Sequence, residues 1–134
     1  MHIHLDAIGG IAGDMFIAAV LDAFPDLRDG MLDSIHAAGL PADIGLAVSE
    51  HADHALTGLR FLVDEKRHRN APEHNHTRFS DIRKNLEQAP LDNAVKAIAI
   101  GIFTRVAQAE AKVHGLSVET VSFHELGEWD SIAD

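Results

Sequence analysis

The sequence contains no cysteine, and this absence excludes several kinds of site at once. Of its 134 residues, 0 are Cys, so disulfides, iron–sulfur clusters and thiolate zinc sites are excluded. Any metal ion must then be bound by histidine nitrogen and carboxylate oxygen. This donor set suits Ni, Zn, Mn or Fe(II), but not Cu(I). The ten histidines are the outlier in the composition.

Long apolar runs and basic residues are also scarce. No apolar run is long enough to span a bilayer, and the start, MHIHLDAIGG, lacks the basic region and the apolar stretch of a signal peptide. We therefore expect a cytoplasmic protein without a membrane partner. The chain has 11 Lys and Arg and 21 Asp and Glu, which gives a formal net charge of −10. Such a surface repels phosphate backbones, which argues against nucleic acid as a partner, and attracts cations.

Hydrophobic residues make up 46% of the chain, enough for one domain with a core. The periodicity predicts a mixed α/β (α+β) fold, a small sheet of short strands covered by helices in the order β-α-α-β-β-loop-α-α-β. The predicted strands are residues 2–8, 43–50, 57–65 and a short piece around Val121 and Phe123. The predicted helices are residues 11–24, 26–39, 79–88 and 91–115. The apolar face is predicted to be Met15, Phe16, Ala19, Val20 and Ala23 in the first helix, and Leu91, Val95, Ile98, Ile102, Val106 and Val113 in the last.

A glycine-rich turn, LDAIGGIAGDM, leads from the first predicted strand into the first helix. Free N–H groups at the start of a helix bind anions, but the turn is neither a Walker A loop nor a GxGxxG fingerprint. Asp14 would repel a bare phosphate, though not one that carries a divalent cation. The simpler interpretation is a turn in which Asp14 stabilises the helix N-terminus.

Histidines form two further candidate metal sites. His68, His74 and His76 lie on a polar segment at residues 67–77, which we predict to be a flexible loop. Neighbouring imidazoles bind Ni or Zn, but the cost of ordering the loop should make the site weak. His114 follows Glu110 by four residues on the same helix face. The alternative for residues 67–77 is a solvated loop without a metal. The alternative for His114 is a histidine that interacts with the helix dipole.

The last residues, SFHELGEWDSIAD, carry the densest group of metal-capable side chains. His124 stands beside Glu125, with Glu128 and Asp130 close behind. One histidine with several carboxylates suits a hard metal or acid–base catalysis. Spacing alone does not separate that interpretation from a surface turn.

With these motifs in this order, the chain resembles the N-terminal part of the LarC family. Members of this family are the nickel insertion proteins of nickel-pincer cofactor biosynthesis. The resemblance covers essentially the whole chain. Its most specific parts are G-x-A-G-D-M near the start and F-H-E-x-G-x-x-D-S-I-x-D at the end. It implies a lyase that uses CTP hydrolysis to insert nickel into pyridinium-3,5-bisthiocarboxylic acid mononucleotide, through two sulfur–nickel bonds and one carbon–nickel bond.

The resemblance also implies roles for single residues. Breaking the ring C–H bond needs a base, so the candidate catalytic residues are Asp14, His124, Glu125 and Asp130. The candidates for binding the mononucleotide phosphate through a divalent ion are Gly10, Gly13 and Asp14. The candidate nickel ligands are His68, His74, His76, His114 and His124. CTP, with Mg or Mn, is expected to bind mainly to a C-terminal part that family members carry and this chain lacks.

We therefore expect residues 1–134 to be an N-terminal domain that is truncated at its C-terminal end and inactive alone. Ser131 would be the N-cap of a helix whose further residues are missing, too short to be stable. Residues after about Gly127 would then be mobile or packed on a second copy, and the chain would self-associate. Two alternatives remain open at this point. One is a non-catalytic nickel-binding or storage module, and the other is an unrelated metal-dependent hydrolase, although no H-E-x-x-H motif is present.

Overall fold

The structure is a computed structural model and describes residues 2–7, 10–54, 56–64, 77–123 and 129–133. Within these residues the chain forms short strands and helices of a mixed α+β fold, which confirms the predicted class. The elements are α1 (Gly13–Ala23), α2 (Arg28–Ala37), β1 (Gly45–Ala52), β2 (Thr57–Asp64), β3 (Thr77–Arg78), α3 (Phe79–Gln88), α4 (Asn93–His114), β4 (Ser122–Phe123) and α5 (Trp129–Ala133), with 3₁₀ turns at Pro25–Leu27 and Val118–Thr120. None of the helices in this part of the chain has the length and apolarity needed to cross a membrane.

Strands β1 and β2 form an antiparallel hairpin, as the alternating pattern predicts. Val48 pairs with Phe61, and Leu46 pairs with Val63. Because side chains alternate between the two faces of a strand, these residues share the face that turns toward the core. In the turn, the Asp53 carboxylate accepts the backbone N–H of Leu56 at 2.8 Å.

The second sheet is very short. Thr77 pairs with Phe123 and Arg78 with Ser122, antiparallel. The Phe79 N–H also donates to the Val121 carbonyl at 3.0 Å. The predicted extended piece near Val121 is confirmed, whereas Thr77, which the sequence pattern places in the loop at 67–77, belongs to a strand.

Two apolar clusters hold these elements together. The hairpin core, formed by α1, α2 and the β1–β2 hairpin, consists of Ile17, Ala18, Leu21, Ile35, Leu40, Ile44 and Phe61. The helical core, formed by α3, α4 and the β4 region, consists of Phe79, Ile82, Leu86, Phe103, Ala107, Ala111, Val121 and Phe123. Helix α5 contacts both, because Trp129 and Ala133 pack on the hairpin core and Ile132 packs on the helical core.

The prediction of a first strand is wrong. Residues 2–7 form no strand, and Ile3 and Leu5 are 55% and 53% exposed. A strand gains its stability from pairing with a neighbour. Among the described residues, the strands pair as β1 with β2 and β3 with β4, which leaves this segment without a partner strand.

The predicted apolar faces of two helices are also wrong. Helix α1 buries Ile17, Ala18 and Leu21 and leaves Met15 57% exposed. Helix α4 buries Phe103, Ala107 and Ala111. Of its predicted face, Leu91 and Val106 pack on the helical core, whereas the other four residues are exposed, namely Val95, Ile98, Ile102 and Val113. Both helices are apolar on more than one side, so the period identifies a helix without identifying its buried side. The small alanines allow the close approach of neighbouring elements.

The prediction that Ser131 is a helix N-cap is wrong. Ser131 does not cap a helix but lies inside α5, where its N–H donates to the Asp130 carboxylate at 2.6 Å. Trp129 packs on the hairpin core, 3.8 Å from where a Cβ on Gly39 would lie. The apolar side chains of residues 129–133 therefore pack on both cores of this chain. The truncation and the self-association stay predictions.

Candidate functional site

The predicted phosphate-binding turn precedes α1. Gly10 adopts φ +100, a region that side chains rarely enter, and its N–H donates to the Ala7 carbonyl at 3.0 Å. A Cβ at Gly10 would meet no atom of the described residues within 4 Å. The helix then begins at Gly13, after Ala12, whose carbonyl accepts the Phe16 N–H at 3.0 Å.

Asp14 lies in the first turn of α1 and is half-buried. Its Oδ1 accepts the N–H of Met15 at 2.8 Å. A negative charge here is stabilised by the helix dipole, so the simpler of the two interpretations of Asp14 has direct support. A carboxylate has about four acceptor positions, and this hydrogen bond leaves capacity for a cation.

Asp130, the other predicted catalytic acid in the described part of the chain, lies in α5 and is exposed. Helices α1 and α5 pack on the same hairpin core. Asp14 and Asp130, which are 116 positions apart in the sequence, thus lie on two helices that pack on one apolar cluster. Five further residues of the predicted site lie outside the described residues, namely His68, His74, His76, His124 and Glu125.

His114 ends α4, and its Nε2 lies 3.1 Å from Oε2 of Glu110. The two side chains are 61% and 43% exposed. The next residue, Gly115, adopts the left-handed conformation (φ +66), and its N–H donates to the Ala111 carbonyl, which closes the helix. Within the described ranges, no three His, Asp or Glu residues come together as a metal site. Among the described residues, the carboxylate that lies beside His114 is that of Glu110.

Sequence reasoning missed one electrostatic contact. Arg83 of α3 forms a two-pronged ion pair with Glu119, at 2.8 and 2.9 Å, and its guanidinium lies 5.4 Å from the centre of the Phe79 ring. The hydrogen bond from Arg83 to Glu119 raises the pKa of Arg83. The partners are 36 residues apart, so no local pattern could have predicted the pair.

A depression of about 240 Å³ lies at the open end of the hairpin, lined by Ala42, Asp43, Ile44, Gly45 and Asp64. It includes none of the predicted site residues. The depression therefore adds no support to any predicted role.

Comparison with known proteins identifies the class. The family model described as nickel insertion protein matches residues 3–134, and the chain belongs to this family. One relative is the pyridinium-3,5-bisthiocarboxylic acid mononucleotide nickel insertion protein of Akkermansia muciniphila, 38% identical over 132 residues, which are 96% of this chain and 32% of the relative. The protein of the same name from Staphylococcus saprophyticus is 34% identical over 135 residues, covering 98% of this chain and 32% of the relative.

The chain thus spans about a third of the length of these relatives. No solved structure matches it. The matched family agrees with the resemblance that the sequence predicts. The activity in the relatives' names is that of proteins about three times as long as this chain.

Proposed function

We propose that this chain acts in the insertion of nickel into pyridinium-3,5-bisthiocarboxylic acid mononucleotide, as the N-terminal part of a cytoplasmic cyclometallase of the lyase class. The observation that carries the proposal is the family match over residues 3–134, together with the names of the relatives. CTP with Mg or Mn is part of the proposal and is assigned, through the LarC resemblance, to the part of the relatives beyond the match. The 134 residues alone are proposed to lack insertion activity.

The donor chemistry of the chain supports this role. Nickel is the cargo, so its ligands must hold Ni(II) and then release it to the two sulfurs of the substrate. Imidazole and carboxylate do this better than thiolates, which would compete for the metal, and the chain has 0 Cys. The net charge of −10 favours the approach of a cation.

Asp14 and Asp130 are the two predicted catalytic carboxylates that lie within the described residues. Each lies at the start of a helix that packs on the hairpin core. In the proposal, Gly10 and Gly13 let the backbone approach the mononucleotide phosphate, and Asp14 binds a divalent ion on it. Asp130, His124 or Glu125 removes the ring proton as the carbon–nickel bond forms.

A chimera tests the function. This chain would replace the matched third of the Akkermansia relative, and the product would be measured by mass spectrometry after incubation with Ni(II), the mononucleotide, CTP and Mg. We expect the chimera to form the nickel product and the 134-residue chain alone to form none. A folded chimera that forms no product, beside an active relative, would overturn the proposal.

The same chimera tests the residues. His124→Ala should reduce the insertion rate by about 10²–10⁴, and Asp14→Asn should also reduce it, through loss of the divalent ion that Asp14 is proposed to bind. The matched controls, Asp26→Asn and His36→Ala, change an acid and a histidine away from the predicted site and should leave the rate unchanged. If Asp14→Asn and His124→Ala insert nickel at the parent rate, both residues are structural.

A second candidate is a nickel-binding module without catalysis. It is favoured by the pairing of His114 with Glu110, which is a metal-capable pair at the end of α4, away from the α1 turn in the sequence. Under this alternative the chimera would bind nickel and form no product, so the assay above separates the two.

A further inference from the structure

The Glu110–His114 pair has the dimensions of two neighbouring ligands on one metal ion. Its Oε2 and Nε2 atoms are 3.1 Å apart. Metal–nitrogen and metal–oxygen bonds to a divalent transition ion are about 2.1 Å long, so two donors at right angles to each other lie about 3.0 Å apart. An ion bound by both atoms would lie off the line that joins them, so the exposed His114 ring would turn until its Nε2 lone pair points at the ion, while the backbone of α4 stays in place.

The backbone that carries the pair is fixed by packing. Ala107 and Ala111 lie beside the pair along α4 and are buried in the helical core, at 0% and 6% exposure. The residues at positions i and i+4 of a helix lie on one face, and α4 continues through His114 before it closes at Gly115. The pair is therefore spared most of the ordering cost that weakens a metal site on a loop.

The pair is also open. The side chains of His114 and Glu110 are 61% and 43% exposed, so a hydrated ion can reach them. With two protein ligands, the other positions of the ion stay with water or an incoming ligand. Such a site exchanges its metal readily, because few bonds must break before the ion leaves.

We propose that Glu110 and His114 form a two-ligand site for a divalent transition-metal ion. The metal site itself follows from the geometry of α4. That nickel is its natural occupant, held for transfer, rests on the proposed function. The competing role is an ion pair that only stabilises the C-terminal end of α4.

Paramagnetic broadening by Ni(II) alone tests the site. The ¹⁵N-labelled 134-residue chain would carry His68→Ala, His74→Ala and His76→Ala, so that the predicted loop site does not compete. We expect the backbone amide signals of residues 110–115 to broaden as Ni(II) is added. Replacing His114 with Ala, or Glu110 with Gln, should weaken this effect at least about tenfold, because loss of even an outer partner of a metal ligand costs about 10–100-fold.

Two controls keep the result specific. His36→Ala removes a helical histidine on α2 and should leave the broadening of residues 110–115 unchanged. Glu110→Gln keeps a hydrogen-bonding partner for His114, so retained helix signals together with lost broadening separate metal binding from helix stability. Absent broadening at these amides at millimolar Ni(II), or broadening that survives both substitutions, would overturn the proposal. Neither outcome depends on insertion by the chimera, so the two proposals fail separately.

Discussion

Adding one methyl group at two glycines, one within α4 and one at its end, should have opposite effects on stability. Gly101 lies inside the helix, where a Cβ would meet no atom within 4 Å beyond the helix's own local backbone. A glycine in a helix interior is less favourable than alanine by about 0.8–1.0 kcal/mol. Gly101→Ala should therefore raise the free energy of unfolding by about 1 kcal/mol.

Gly115 also has open space where a methyl group would lie, with nothing within 4 Å, but its backbone has φ +66 and ψ 30. The cost of a side chain there is the strain of the left-handed conformation, about 1–2 kcal/mol for a residue with a Cβ. Gly115→Ala should lower the free energy of unfolding by that amount. Gly115→Asn should cost less, because asparagine tolerates this conformation better.

Urea denaturation of the 134-residue chain, followed by circular dichroism at 222 nm, measures both changes. The free energies of unfolding of the two alanine variants should differ by about 2–3 kcal/mol. In a thermal scan, their melting temperatures should differ by roughly 8–12 °C. A destabilised Gly101→Ala would show that something covers this part of α4. A stabilised Gly115→Ala would show that the helix does not end in a left-handed residue, and the reasoning would be wrong.

Three further predictions concern the core, the exposed helix face and the histidine loop. Phe61→Ala should lower the free energy of unfolding by about 3–5 kcal/mol, since Phe61 is 1% exposed in the hairpin core; a loss below about 1 kcal/mol in urea denaturation would contradict that packing. Ile98→Lys should change the same quantity by less than about 0.5 kcal/mol, because Ile98 is 66% exposed; a much larger loss, or a drop in mass by light scattering, would show that another chain covers it. Replacing His68, His74 and His76 together with Ala should weaken Ni(II) binding measured by calorimetry, with a parent affinity of micromolar or poorer (about −8 kcal/mol or less favourable). Parent binding should fade as the pH falls through about 6.5, where protons compete for imidazole, and an unchanged affinity of the triple variant would refute the loop site.

Local signals in the sequence predict the fold where each element depends on its own residues. The alternation of Leu46 and Val48 against Phe61 and Val63 predicts the hairpin, and the structure pairs these residues. Gly115 predicts the end of α4 for the same reason, since a left-handed residue at a helix end is a local event.

Predictions fail where the outcome depends on distant residues. The segment at 2–7 alternates like a strand, but a strand needs a partner, and its pattern cannot report whether one exists. The buried side of α4 is set by where α3 and β4 pack, so small alanines are buried there in place of the larger Ile98 and Ile102. The contact of Arg83 with Glu119 likewise lies beyond the reach of spacing rules.

The same distinction applies to the candidate site. Glu110 and His114 are four residues apart on one helix, and their contact was predictable from that spacing. Spacing could not predict that Asp14 and Asp130 lie on helices that share one apolar cluster. Helix α5 reaches the hairpin core only through tertiary packing. Their catalytic roles, with those of His124 and Glu125, stay predictions.

The position of α5 has a consequence for the order in which the chain folds. Its Trp129 packs on hairpin-core residues that lie about 70 to 110 positions earlier in the sequence, which is a high-contact-order interaction. Closing a loop of that length costs about 4 kcal/mol in its length-dependent entropy. A five-residue helix cannot offset this by its own hydrogen bonds, so α5 should order only after both cores exist to receive it. In a stopped-flow refolding experiment, the change in Trp129 emission should then accompany the last kinetic phase rather than the first.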